Sequence, residues 1–164
     1  MHGMTEAEVQ TMQTRVTSFL DTAHFYDPLH GQIYDSLTKL IQAGKQATPV
    51  TLKTFFENAE PIDSTLTVPQ YLGRLAANAT TIINAEQYGR TVYDLAIRRH
   101  LILVGEDMVN TAFDSPIDFP PEKQIEDAEG RLYDLAEQGK YDLIVHEAAF
   151  VRATVDITSH VLKE

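Results

Sequence analysis

A chain of 164 residues with 43% hydrophobic content is long enough to close one core, or to carry a small domain with an appendage. The lack of cysteine excludes disulfides and thiolate chemistry and argues against structural zinc. A formal charge of -11 argues against holding nucleic acid unaided, since that depends on neutralising phosphates with Lys and Arg.

No apolar run reaches the ~18 residues of a membrane span, and the N-terminus lacks the apolar core of a signal peptide, so a cytoplasmic protein is expected. Near the N-terminus, Val9, Met12, Val16 and Leu20 recur with helical spacing and predict an amphipathic helix over 6–20. Asp27-Pro28 then reads as a helix cap followed by proline in the first turn. Leu29, Ile33, Leu37, Leu40 and Ile41 supply the buried stripe as far as Gly44. His30, three residues after the cap, is expected to make a structural hydrogen bond. A short helix over 51–58 should turn Leu52, Phe55 and Phe56 inward. The turn-rich stretch Glu60-Pro61-Ile62-Asp63-Ser64 comes next. Thr67 caps another short helix, with Tyr71, Leu72 and Leu75 as its buried residues. Nothing alternates with period two for long enough to make a strand. The expectation is an all-α fold whose first part, residues 4–79, is a small helical globular subdomain, joined through Thr80–Ile83 to a second helical part.

Residues 84–139 read as a long helical hairpin. The first helix starts at Asn84, with Gln87 placed to complete a capping box, and runs to about Phe113. Asp114-Ser115-Pro116 breaks the pattern. The second helix opens at Pro120-Pro121 and is stopped by Gly139. At about 100° per residue, Tyr93, Ile97, Leu101, Val104 and Met108 share one side of the first helix, and Tyr88, Val92, Leu95, Ile102, Val109 and Phe113 lie nearly opposite. The second helix has one stripe, Ile125, Ala128, Leu132 and Leu135. One face of the long helix is therefore available to its hairpin partner. The other seeks a second surface, either the N-terminal body or another copy of the hairpin; the alternative is that this is simply the central helix of a compact bundle. These apolar residues form the candidate interface for hairpin closure and self-association. Seven acids between Asp118 and Glu137 stand against Lys123 and Arg131 and form a solvated face or a surface for a basic partner. Arg98 and Arg99, with Glu126 and Glu129, are candidate partner contacts, although ion pairs with nearby acids such as Asp94 and those of the second helix are the first account of the arginines. Gly130, roughly opposite the Ile125/Leu132 seam, is either a close-approach point or a surface glycine. Residues 140–164 form a linker-like segment: Tyr141–Val145 can be extended, and Ala148, Val151, Val155, Thr158 and Leu162 share a helical face.

Signatures of chemistry are missing. Gly44-Lys45 and Gly139-Lys140 lack the upstream glycine and the following Ser or Thr of a phosphate-binding loop, and no two histidines have HExxH spacing. Paired carboxylates along a solvated helix signal little without a pocket that shifts their pKa. No catalytic, cofactor-binding or metal-binding residue is expected in this chain. A small enzyme built on His30 would require a strongly shifted acid beside it.

The run Phe19-Leu20 followed by His24-Phe25-Tyr26-Asp27-Pro28-Leu29-His30-Gly31-Gln32-Ile33-Tyr34 resembles the N-terminal motif of bacterial replicative DNA helicases of the DnaB type. The similarity continues through Gly44-Lys45, Thr48-Pro49-Val50-Thr51-Leu52, Tyr71-Leu72, Leu75-Ala76, Asn84-Ala85, Tyr88-Gly89, Arg98-Arg99, Leu101-Ile102 and the second hairpin helix, roughly residues 19–139. The resemblance implies a non-catalytic domain. In that family a helical subdomain and a hairpin form the N-terminal collar of a ring-shaped hexamer, with hairpins pairing between subunits. It implies self-association as a dimer or hexameric ring, and docking of primase and, in some bacteria, a helicase loader. ATP and Mg²⁺ belong to a separate RecA-like motor domain that comes after a linker helix. Two departures stand out. The first helix keeps Glu6-Ala7-Glu8 but is shorter than the family's and lacks its glycine, which implies looser packing of the body or an exchanged contact. The chain also ends at Glu164, where the family proceeds to its ATPase, as expected of either a fragment or a short relative acting as a free-standing regulator of helicase or primase.

Overall fold

The computed structural model describes residues 5–78, 84–114 and 116–138, and all regular structure within them is helical. The join at Thr80–Ile83, Gly139 as a stop signal and the whole linker-like segment 140–164 lie outside the described residues.

Helix α1 (Glu6–Thr17) begins at a complete capping box. The Thr5 side chain accepts the Glu8 N–H, and the Glu8 carboxylate accepts the Thr5 N–H at 2.8 Å, which holds that carboxyl below its ordinary range. The helix stops short of Leu20, and both Phe19 and Leu20 are buried in the segment after it. None of α1's own residues is fully buried. It is tied to the next helix by two glutamine amides, Gln10 donating to the Ile41 carbonyl at 2.6 Å and Gln13 to the Thr38 carbonyl at 3.0 Å. These polar bridges add to the half-buried stripe of Val9, Met12 and Val16.

Helix α2 (Pro28–Gln42) is the centre of the body. Asp27 accepts the Leu29 N–H at 2.8 Å with Pro28 in the first turn. Its C-terminus closes as a Schellman motif. Gly44, at φ 67°, donates to the Ile41 carbonyl, and Lys45 donates to the Leu40 carbonyl. Helix α3 (Pro49–Lys53) continues into a 3₁₀ turn, Thr54–Phe56, and α4 (Val68–Ala77) is capped by Thr67 and Gln70.

The core is a cluster of Ile33, Leu40, Leu52, Phe56, Val68 and Leu72, flanked by Leu29, Leu37, Ala47 and Tyr71. Two residues expected inside are not: Phe55 is 51% exposed and Leu75 is 39% exposed. Helix α3 has five residues, too few to cover more than about a turn and a half of α4. Val68 and Leu72 fill that contact, and Leu75 projects beyond it. His30 takes the structural role expected of it: its Nε2 shares a 2.6 Å hydrogen bond with the Tyr71 hydroxyl, the two rings lying 5.8 Å apart and nearly parallel, which links α2 to α4.

Contacts divide the chain into two units, residues 1–93 and 94–164, with the boundary inside helix α5 (Ala85–Asp114). The body therefore takes in the first turns of a helix that the sequence pattern assigned wholly to the hairpin. The cause is a close approach at Gly89, where a Cβ would stand 3.3 Å from the Phe19 ring. The Arg90 guanidinium lies 4.4 Å from the Phe19 centroid, and Tyr93 meets the same ring edge-on at 6.3 Å.

Two glycine substitutions should act in opposite directions. A Cβ on Gly31 would stand 2.9 Å from the Thr22 carbonyl, whereas one on Gly73 meets nothing within 4 Å. Gly31→Ala is expected to cost ~1–3 kcal/mol through overpacking against backbone. Gly73→Ala in α4 should gain ~0.5–1 kcal/mol of helix propensity. Urea unfolding of both variants, read by circular dichroism, measures the pair.

Candidate protein-interaction site

The second unit consists of α5 from Asp94 onward and helix α6 over 121–138. The chain reverses between them through a turn in which Phe119 donates to the Pro116 carbonyl at 3.1 Å. Pro121 occupies the first helical position, where its missing N–H costs nothing, and Gln124 makes the first backbone bond of α6, to the Pro120 carbonyl. Gln124 also ties the turn down with its side-chain amide, which donates to the Phe119 carbonyl at 3.2 Å. Arg131 reaches from α6 to Asp107 on α5 and lies 3.5 Å from Asp127 on its own helix. The bond to Asp107 strengthens its hold on its proton. Beside this ion pair is a cleft of about 200 Å³, lined by Met108, Thr111, Phe119, Pro121 and Ile125 among others.

Little of the apolar surface is consumed in closing the hairpin. Among the described residues of this unit the buried hydrophobic ones are Ala96, Val104 and Ala128, with Ile97 and Leu135 half-buried. Leu101 and Met108, on the stripe of Val104, and Ile125 and Leu132, on the α6 stripe, remain between 42% and 59% exposed. The opposite side of α5 is more open still. Tyr88, Leu95, Ile102 and Val109 succeed one another at intervals of seven residues and are each at least half exposed, and Phe113 extends the row at 88%. Val92 and Tyr93 are half-buried. Gly105 leaves a shallow notch between Ile102 and Val109. A strict seven-residue apolar repeat on an open helix face is the pattern that accepts a second helix in a left-handed pairing.

Sequence periodicity missed three exposed apolar residues. Leu103 falls between the two stripes, Ile117 stands in the turn, and Tyr133 lies beside the α6 seam. Leu103 carried a signal, since a third apolar direction on one helix already exceeds what a single partner covers. The candidate polar contacts lie on the surface. Arg98 pairs with Asp94 at 2.8 Å along its own helix, both side chains being more than 60% exposed, so the pair adds little stability. Arg99 is half-buried, and Glu126 and Glu129 are exposed on α6. Among the described residues, no three or more His, Cys, Asp or Glu side chains are grouped to hold a metal ion. No helix among them is long and apolar enough to cross a membrane.

A family model for the DnaB-like helicase N terminal domain matches residues 9–94, more than half of the chain. The chain belongs to the DnaB-like helicase N-terminal domain family. The match ends almost where the first unit ends, so the body with the seated start of α5 is the part that the family model describes. Similarity to whole DnaB proteins extends further. The replicative DNA helicase DnaB of Rickettsia bellii (strain RML369-C) is 36% identical over 146 residues, which is 89% of this chain and 28% of that protein. Its counterpart in Rickettsia typhi (strain ATCC VR-144 / Wilmington) is 37% identical over 142 residues, 87% of this chain and 27% of that protein. The chain thus spans little more than a quarter of the length of these relatives. The crystal structure of the N-terminal domain of DnaB helicase from Mycobacterium tuberculosis shares the fold, with a TM-score of 0.61 over 74% of this chain and 83% of that one at 24% identity.

Burial separates two neighbouring positions sharply. Val104, 8% exposed, should not tolerate a charge: Val104→Asp is expected to cost ~3 kcal/mol or more and to lower helicity. Ile102→Asp, at a position 59% exposed, should unfold within ~0.5 kcal/mol of the parent in dilute solution. Thermal unfolding followed at 222 nm compares them.

Proposed function

We propose that this chain is the N-terminal collar domain of a replicative DNA helicase, working in the cytoplasm and joining subunits through the open face of α5. The observation that carries this is the row Tyr88, Leu95, Ile102 and Val109, with Phe113 at its end, exposed on a helix whose hairpin partner lies elsewhere. Burying such a row is favourable at ~25 cal/mol per Å² before the costs of ordering and association are subtracted. Membership of the family and the length of the DnaB relatives support the same reading. In this proposal the ring, as dimer pairs or a hexamer, is assembled through hairpins, and ATP with Mg²⁺ is handled by a motor domain outside these residues. Primase and a helicase loader dock on the outer surfaces, where the acids of α6, including Glu126 and Glu129, offer a field attractive to a basic partner and Arg98 and Arg99 one attractive to an acidic partner. Direct binding of DNA by this chain is weak, in keeping with its charge of -11.

The test is light scattering after size exclusion across a concentration series. The parent chain should give a dimer or a larger assembly. Ile102→Asp and Val109→Asp should each weaken association by at least ~tenfold while retaining helicity. A parent that stays monomeric at every concentration, or variants that assemble as it does, would sink the proposal.

A further inference from the structure

The short 3₁₀ turn Thr22–His24 is the keystone between α2 and the start of α5, and an imidazole closes it. His24 Nδ1 accepts the backbone N–H of Asp21 at 2.8 Å, the position in a capping box usually held by Glu or Gln. This bond exists only with Nδ1 unprotonated, which places the proton of the neutral ring on Nε2. The same ring stands edge-on to Tyr93 of α5, with centroids 4.9 Å apart. On its other side the turn is pressed onto α2, where the Thr22 carbonyl occupies the space a side chain at Gly31 would need. Just before the turn, the Leu20 carbonyl accepts the Tyr34 hydroxyl at 3.0 Å, and burial pushes the Tyr34 phenol up to about 12, so it remains a donor at any ordinary pH.

We propose that His24 is a proton-operated latch that holds the turn closed and thereby fixes the seat of α5 on Phe19. Protonating Nδ1 sets two donors face to face across 2.8 Å, so the ring must leave the Asp21 N–H and, with it, its packing on Tyr93. The titratable and charged groups on the elements around the turn include Asp21 itself, Arg15 in the last turn of α1, Tyr34 on α2, and Glu86, Arg90 and Tyr93 on α5. Glu86 and Arg90 are engaged with each other at 3.6 Å. The Asp21 carboxylate, exposed beside the turn, favours the imidazolium once the ring has swung out. The bond to the Asp21 N–H requires a neutral ring, so the latch is closed while Nδ1 is unprotonated and opens when Nδ1 takes a proton as pH falls.

The experiment uses the full chain and amide hydrogen exchange read by NMR, with rates corrected for their intrinsic pH dependence. Protection of the Asp21 amide should fall by about tenfold between about pH 8 and about pH 5, the scale of one net hydrogen bond. In His24→Gln, whose amide oxygen keeps the acceptor and does not titrate, protection should be the same at both pH values. In the parent, the His24 ring resonances should titrate in step with the Asp21 amide. Unchanged protection in the parent, an equal loss in His24→Gln, or a His24 ring titration out of step with the Asp21 amide would each overturn the latch; the ring titration decides even where the variant fails to fold.

Discussion

A 30-residue helix with apolar side chains in every direction cannot bury them all within one small chain, and that surplus shapes this protein. Helix α5 disposes of its first turns by resting Gly89 on the Phe19 ring, where the missing Cβ permits the approach. Further along, only Ala96 and Val104 are fully covered. The remainder is a surface of Leu, Ile, Val, Met and Phe more extensive than scattered exposure requires, of the kind that marks a place for another protein. The ordering of α1 to α4 answers the other end of the same problem: the body must present Phe19 in a fixed position for the helix to have a seat at all.

Much of this architecture could be read from local chemistry. Caps are local, so Asp27-Pro28 and Thr67 announced their helices correctly, and Gly44 closed α2 through the backbone angle that glycine alone adopts easily. Periodicity gave the direction of each apolar stripe. It could not give the length of the element that would cover it, which is why Phe55 and Leu75 are exposed although each lies at a helical interval from a buried neighbour. Interactions between a side chain and a distant carbonyl leave no pattern in sequence: nothing about Gln10 or Gln13 distinguishes them from solvated surface residues until α2 is beside them. The same is true of His24, whose capping role depends on a turn too short to have a period.

Of the interface residues named from sequence, the structure divides one helix into unequal parts. Positions on the side of Val104 are partly consumed, and those in line with Ile102 are left open. The pattern of seven is visible in the sequence of α5, but its exposure is not, because that depends on where α6 lies. Family membership adds an independent constraint, since its model covers the body and stops as α5 leaves it. From Leu95 onward the open row therefore lies in the portion described by similarity to whole DnaB proteins rather than by the domain model.

The acids of α6 have a colloidal consequence. A protein with this much exposed apolar surface would be expected to coalesce without specificity, and the charge of -11 opposes that. Repulsion between like-charged molecules reaches about a Debye length, ~8 Å at physiological salt, whereas apolar attraction acts only at contact. Random encounters are thus discouraged before the apolar rows can touch, while an encounter that aligns them over their whole length gains enough to overcome the repulsion. Charge on one helix in this way acts as a filter on what the neighbouring helix is allowed to meet.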